Sequence, residues 1–307
     1  MAGGIQKEIW TDYISKNLFK NNEFLQQSND ASQYVLAGKV VHIANAGNPA
    51  AVVRNRTILP ATVVKRADAD ITYNLDEFSI SPTLIENAEK VELSYDKIGD
   101  VLSDIMSQLR QDMANWMLYN WVQNLTLSTT VNRVNWTGSA SGTTYNYAPD
   151  STGNLKRLSV EDIKAAAKLM DKLDIPGEDR YCLLDADAYF QLMDDMKPTT
   201  YKDFDRYIDP ATGVIGQLYG FKFYKRSTVL YNSAGTLAAP DATSGRVGGV
   251  AMCWQKNMVE RAVGEVNFFE NLKDATYFGD IYSGLVRAGG RNRRNDSKGI
   301  VLLTQTT

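Results

Sequence analysis

The stretch Ser94–Leu125 constrains the chain more than any other. Apolar side chains recur there at Ile98, Val101, Leu102, Ile105, Leu109, Met113, Trp116 and Met117, then at Trp121, Val122 and Leu125. Steps of three and four residues put them on one face of an amphipathic helix. Ser94 can cap it, Asp96, Asp100 and Asp104 suit the positive end of its dipole, and no proline interrupts it. Such a helix spans about 48 Å, the length of a domain. The stripe widens at Trp116, Met117, Leu118, Trp121 and Val122, which predicts burial on more than one side at the far end. The rest of the chain must therefore pack around a rod.

Ahead of the rod, Trp10, Tyr13, Ile14, Leu18 and Phe19 predict a short amphipathic helix that has to dock on its own core or on a neighbour. Next, stretches from Gly38, Ala50 and Ala69 are rich in Val, Ile, Thr and Tyr and broken at Gly47, Asn48, Pro49 and Pro60, so they read as a long β excursion. It carries too little apolar surface for a core of its own, and two strands alone are marginal in water. Support from another chain and packing over its own domain are both open. Behind the rod, Ser128–Asn154 is rich in Ser, Thr, Gly and Asn and reads as a surface excursion or a flexible loop. Ser159–Leu173 follows as a helix opened by a Ser159/Asp162 capping box, then a buried strand Tyr181–Leu184 running into a helix opened by Asp185 or Asp187. Strands are expected from Gly216, from Gly248, over Met258–Asn267 and from Gly299, with Asp274–Leu285 mixed.

Charge patterning says more than the net charge of -3. Arg54, Arg56, Lys65 and Arg66 lie in a stretch without an acid, whereas Ala67–Asp104 holds ten acids against Lys90 and Lys97. The two blocks can neutralise each other within a molecule or set the register of a contact between copies. The densest basic stretch, Arg287–Lys298, carries five cations and one acid. Its Arg291, Arg293 and Arg294 could reach phosphates, while a solvated turn or an inter-subunit contact is the plainer reading.

Chemistry is sparse. His42 is the only histidine and has no Cys or acid at ligand spacing, so neither a metal site nor a Ser-His-Asp triad is expected. Asp185 and Asp187 fit helix capping, and Asp194 and Asp195 an exposed helix end, better than acid–base work. Gly248-Gly249 and Gly289-Gly290 lack a phosphate-binding pattern. Cys182 and Cys253 sit in apolar surroundings and read as reduced core thiols. No catalytic residue, cofactor or metal is expected. No apolar run reaches the ~18 residues of a membrane span, and the N-terminus lacks the apolar segment of a signal peptide.

The order of parts resembles the major capsid proteins of tailed bacteriophages, the Hong Kong 97 fold. KVVHIANAG and its continuation resemble that family's E-loop; NAEKVELSYDKIGDVLSDIMSQLRQDMANWML resembles its spine helix. RYCLLDADAYFQLMDD, GQLYGFKFYKRSTV, GGVAMCWQKNMVERAVGEVNF and RAGGRNRRNDSKGIVLLTQ resemble parts of its A- and P-domains, in the same order. The resemblance implies an α+β chain with an N-terminal arm (1–36), a β E-loop (37–82), a spine-helix P-domain (83–158 and 254–287) and an A-domain (159–253 and 288–307). It implies a non-enzymatic shell subunit that forms hexamers and pentamers and is made in a host bacterial cytoplasm. Candidate partners are scaffold, portal and decoration proteins, with packaged DNA in weak non-specific contact and no membrane. Because that family lays its E-loop over the neighbouring P-domain, Arg54, Arg56, Lys65 and Arg66 are expected to meet Glu86, Glu89, Glu92 and Asp96 of the next copy. Rival readings are an encapsulin-like nanocompartment shell, a soluble α/β enzyme using the Asp185 region, and a nucleic-acid-binding protein acting through Arg287–Lys298.

Overall fold

The computed structural model describes residues 22–35, 39–45, 52–57, 60, 63, 65, 69–86, 97–139, 155–209, 212–233 and 235–306. The helix expected at Trp10–Phe19, the Ser94 cap and most of the loop from Ser128 to Asn154 lie outside these residues.

The rod is one helix, α1 (Lys97–Val122). Its first described half buries only Met106 and Leu109, while Met113, Ala114, Met117, Leu118, Asn120, Trp121 and Val122 are all buried. The second half is thus clasped from several sides, as its wide apolar stripe requires.

Two sheets do the clasping. In the first, β1 (Asn29–Asp30), β13 (Val259–Asp274), β14 (Gly279–Asn292) and β4 (Asp76–Ser79) lie in that order, with β5 (Thr83–Glu86) also on β14. Strands β13 and β14 form a long antiparallel hairpin with register shifts at Val263/Val266 and Asn271/Asp274. The sequence suggested a shorter strand, a mixed stretch and then a turn; instead β14 runs unbroken to Asn292. Glycines hide it, because Gly279, Gly284, Gly289 and Gly290 replace the apolar marks that a period-two pattern needs. Close approach explains Gly290: a Cβ there would lie 2.6 Å from both Trp121 Nε1 and the Glu260 carbonyl oxygen.

The second sheet runs β11 (Thr236–Ala238), β10 (Leu230–Ser233), β12 (Gly248–Gln255), β7 (Arg180–Asp185), β9 (Phe221–Arg226) and β8 (Gly216–Leu218). In addition, β15 (Ile300–Thr304) joins β12 to β6 (Arg133–Asn135). Every residue of β7, β12 and β15 is buried. Alternate side chains serve two cores: Tyr181, Leu183, Met252 and Trp254 join α1, while Cys182, Leu184, Ala251 and Cys253 join α2 (Val160–Lys172). Burial on both faces is why these strands read as nearly continuous apolar runs. Cys182 and Cys253 are directly opposed and both free thiols, and burial pushes the Cys182 thiol up. The capping box of Ser159 and Asp162 is present on α2, and Asp185 caps α3 (Ala186–Asp195), accepting from the Ala188 N–H at 2.6 Å. One expectation fails within Ser128–Gly138. Arg133–Asn135 pairs in parallel with β15, and the next residue, Trp136, is fully buried.

The β excursion has an antiparallel base, β2 (Val40–Asn45) and β3 (Ala69–Asn74). Val41, Ile43, Ile71, Tyr73 and Leu75 pack with Ala31 and Ala262 of the same chain. Its base therefore takes the intramolecular alternative. Its far end does not: Val52 is 98% exposed and Val63 95%.

Candidate assembly surfaces

At that far end Arg54, Arg56 and Lys65 are exposed beside the two valines, with Arg54 and Asn55 in a turn. Arg66, Glu89, Glu92 and Asp96 lie outside the described residues; Glu86 is exposed at the end of β5. Among the described residues of the excursion, three cations and two valines are thus exposed. Such a combination contributes little within one molecule.

The basic stretch behaves differently. Arg287 donates to Glu77 at 3.1 Å, Arg291 to the Thr72 carbonyl at 2.7 Å and Arg294 to Asp296 at 2.9 Å. Nε of Arg293 lies 3.1 Å from Oε2 of Glu260, whose side chain is 5% exposed. Glu260 also accepts from the Tyr73 hydroxyl at 3.3 Å and from the Asn29 amide at 3.4 Å, while its own carbonyl accepts from the Trp121 indole at 2.9 Å. Burial raises the Glu260 carboxyl above its ordinary value, with Arg293, Asn29 and Tyr73 pulling it back. Burial and then the Glu260 charge push the Tyr73 phenol up. One carboxylate so ties together the N-terminal segment, the base of the excursion and the return stretch, and its backbone holds the end of α1.

Next to it, Arg261 latches the N-terminal segment. Its guanidinium donates to the carbonyls of Leu25, Gln26 and Ser28 at 3.1–3.2 Å and to Asp30 at 2.9 Å. For Asp30, burial would raise the carboxyl, but bonds from Ser32 and the Arg261 charge outweigh it and hold it low. Neither Glu260 nor Arg261 stands out in the sequence, since each sits inside an ordinary strand pattern.

Two further surfaces escaped the sequence reading. A cleft of about 430 Å³ between α1 and β4–β5 is lined by Phe78, Ile80, Ile105, Leu109 and Trp116, with Glu77 and Asp112 at its polar side. The tip of the β13–β14 hairpin exposes Phe269, Leu272, Tyr277 and Phe278, the last at 76%. The chemistry searched for in the sequence finds other uses. Asp185 caps α3, and Asp195 accepts from the first N–H of α2 at 2.8 Å. His42 is exposed and sits 2.6 Å from Asp70 across β2 and β3. Among the described residues no group of three potential metal ligands occurs, and no helix is long and apolar enough to cross a membrane.

Comparison with known proteins places this architecture. Residues 129–268 match a family model described as phage capsid protein. The capsid structure of Cyanophage P-SCSP1u superposes with a TM-score of 0.61 at 16% identity, covering 90% of this chain and 86% of that one. A structure from Mycobacterium phage Che8 gives 0.58 at 19% identity, covering 91% and 90%. The virus-like particle from Pyrococcus furiosus gives 0.54 at 9% identity, covering 97% and 99%. A search of curated proteins finds no match. Matched over nine-tenths of its length by these structures and through its middle by the family model, the chain has the Hong Kong 97 fold of phage capsid proteins.

Proposed function

We propose that the chain is a major capsid protein, which assembles with copies of itself into the shell around a phage genome. The observation that carries this reading is the capsid fold over nine-tenths of the chain. The far end of the β excursion adds to it, with valines almost fully exposed beside Arg54, Arg56 and Lys65. In this reading residues 1–36 are the arm, 37–82 the E-loop, 83–158 with 254–287 the P-domain, and 159–253 with 288–307 the A-domain. Hexamers and pentamers form as the E-loop of one copy lies over the P-domain of the next. Its cations then face the acidic block around Glu86, with Glu89, Glu92 and Asp96 as further partners. Exposed pairs are each worth about 0–1 kcal/mol, so their effect comes from repetition around the shell. The work is geometric association, without a catalytic step. Scaffold, portal and decoration proteins are its partners, and the virion is its destination after synthesis in the host cytoplasm.

The test is sedimentation of the purified protein with negative-stain imaging of whatever pellets. Closed particles or capsomers are expected from the wild type, and the double variant R54E/R56E is expected to lose them while keeping its helical circular-dichroism signal. A wild type that stays a monomer or dimer even with a scaffold partner refutes the shell reading. Normal shells from R54E/R56E refute the E-loop contact. Particles filled with protein cargo instead of nucleic acid would favour the nanocompartment.

A further inference from the structure

The arginines that the sequence marked for phosphate contact, Arg291, Arg293 and Arg294, already have partners within the chain. A different group of cations is held by neutral and aromatic groups, with no carboxylate in a salt bridge to it among the described residues. A cleft of about 330 Å³ between α1 and β9 is lined by Arg110, Lys225, Arg226, Ser107, Gln111 and Asn22. Three cations and several neutral donors line it, and among the described residues no acid does.

Arg180, Arg261, Arg287, Arg293 and Arg294 each have a carboxylate oxygen within 4 Å. The cleft cations face polar or aromatic groups instead. Arg226 is held by donation to Asn115 Oδ1 at 2.7 Å and to the Gln111 carbonyl at 3.2 Å, which fixes its fork. Arg110 donates through Nε to the Met106 carbonyl at 3.0 Å. Lys225 Nζ stands 4.7 Å from the Tyr189 ring centroid and 5.6 Å from that of Phe190, itself 60% exposed. Burial pushes the Arg226 guanidinium down to about 10, with attraction from Asp112 opposing it, so the group stays charged at neutral pH. Asp112 itself lines the cleft between α1 and β4–β5.

We propose that the cleft formed by Arg110, Lys225 and Arg226 binds a phosphodiester group of nucleic acid. Guanidinium forks and hydroxyls match phosphate oxygens, and a lining without acids suits a polyanion that carries one charge per phosphate. The inference rests on the shell reading, which brings nucleic acid to the subunit, and it replaces Arg291, Arg293 and Arg294 as the contact.

The experiment uses the full-length subunit and a labelled DNA duplex of about 20 base pairs, with affinity measured over a range of salt. Each lost phosphate contact should flatten the slope of log affinity against log salt by about 0.9. The double variant Arg110→Gln with Lys225→Gln should therefore lose roughly 1.8 in slope, while Arg110→Lys keeps the wild-type slope. Removing the charges of Arg291, Arg293 and Arg294 together should leave it unchanged. A wild-type slope in the double variant overturns the proposal, as does an Arg110→Lys variant that behaves like Arg110→Gln. Retained DNA binding with lost binding of poly-glutamate assigns the cleft to an acidic protein surface and also overturns it. Negative stain of the same samples keeps the two ideas apart. Wild-type shells with an unchanged slope in the double variant refute only the cleft, whereas a wild type that forms no shells refutes the shell reading.

Discussion

Replacing Gly290 by alanine puts a methyl group where the chain has no room. Its Cβ would stand 2.6 Å from the Glu260 carbonyl oxygen and 2.6 Å from Trp121 Nε1. Neither neighbour is the loose end of a flexible side chain: the carbonyl belongs to β13, paired with β14 across Glu260↔Arg291, and Trp121 is fully buried against Trp254. The hairpin must open or the indole must shift, and either breaks the 2.9 Å bond from Trp121 to Glu260. Overpacking costs about 1–3 kcal/mol, and an unsatisfied buried indole N–H about 1–3 kcal/mol more. The total of about 2–6 kcal/mol lowers the melting temperature by roughly 3–9 °C, at about 1.5 °C per kcal/mol for a chain of this size. Thermal unfolding followed by circular dichroism measures it, with Gly177→Ala as the control, because nothing lies within 4 Å of a Cβ at Gly177. A Gly290→Ala protein melting within about 1 °C of the control would refute the reasoning, since it would mean that the α1–hairpin contact relaxes at almost no cost.

Three further outcomes are expected. Arg261→Ala removes the donor shared by Leu25, Gln26, Ser28 and Asp30, so residues 22–35 should become sensitive to limited proteolysis, at a cost of about 1.5–3 kcal/mol. Glu260 has its carboxyl raised above 4.5, so its folded form favours the proton; its contribution is complete below that value and falls as pH rises through the folded value. Denaturant midpoints taken upward from about pH 4 should therefore fall less steeply in Glu260→Gln than in the wild type. Asp296 is lowered, chiefly by the bond from Arg294 against the opposing effect of burial, so its contribution is present above 3.8 and lost on acidification. Asp296→Asn should remove that acid-side loss in the same measurement.

The parts of this fold that the sequence disclosed are those with one strong period. Leu109, Met113, Met117 and Trp121 mark α1 because its core lies along one line, and RYCLLD marks β7 because both faces of the strand are covered. Strand β14 lacked such a mark, since its close contacts with Leu75, Trp121 and Glu260 demand glycine where a pattern would show an apolar residue. Trp136 was missed for another reason: the strand it follows is three residues long, pairs with β15, and sits in a polar stretch. The charge blocks were visible, but not their partners. Arg287 meets Glu77 across 210 residues and Arg293 meets Glu260 across a hairpin, so a run that reads as free charge is largely neutralised inside the chain. The cleft cations lie in separate segments, around Arg110 and around Lys225 and Arg226, and so form no run at all.

Glu260 and the exposed surfaces divide the work that the proposed shell would need. Asn29, Tyr73, Trp121 and Arg293 come from four distant parts of the chain and meet at one residue of β13. The direction in which the β excursion leaves the body is therefore set by the same bonds that hold α1 and the N-terminal segment. Away from that node, apolar side chains are open to solvent: Val52 and Val63 are almost fully exposed, and Phe278 at the hairpin tip is 76% exposed. A shell made of many copies needs this combination, because an angular error in one subunit repeats at every contact, while the surfaces that make the contacts must stay open until a neighbour covers them. In the proposed shell, apolar side chains held out on a fixed frame would contribute stability once a neighbour covers them, at about 25 cal/mol per Å² buried.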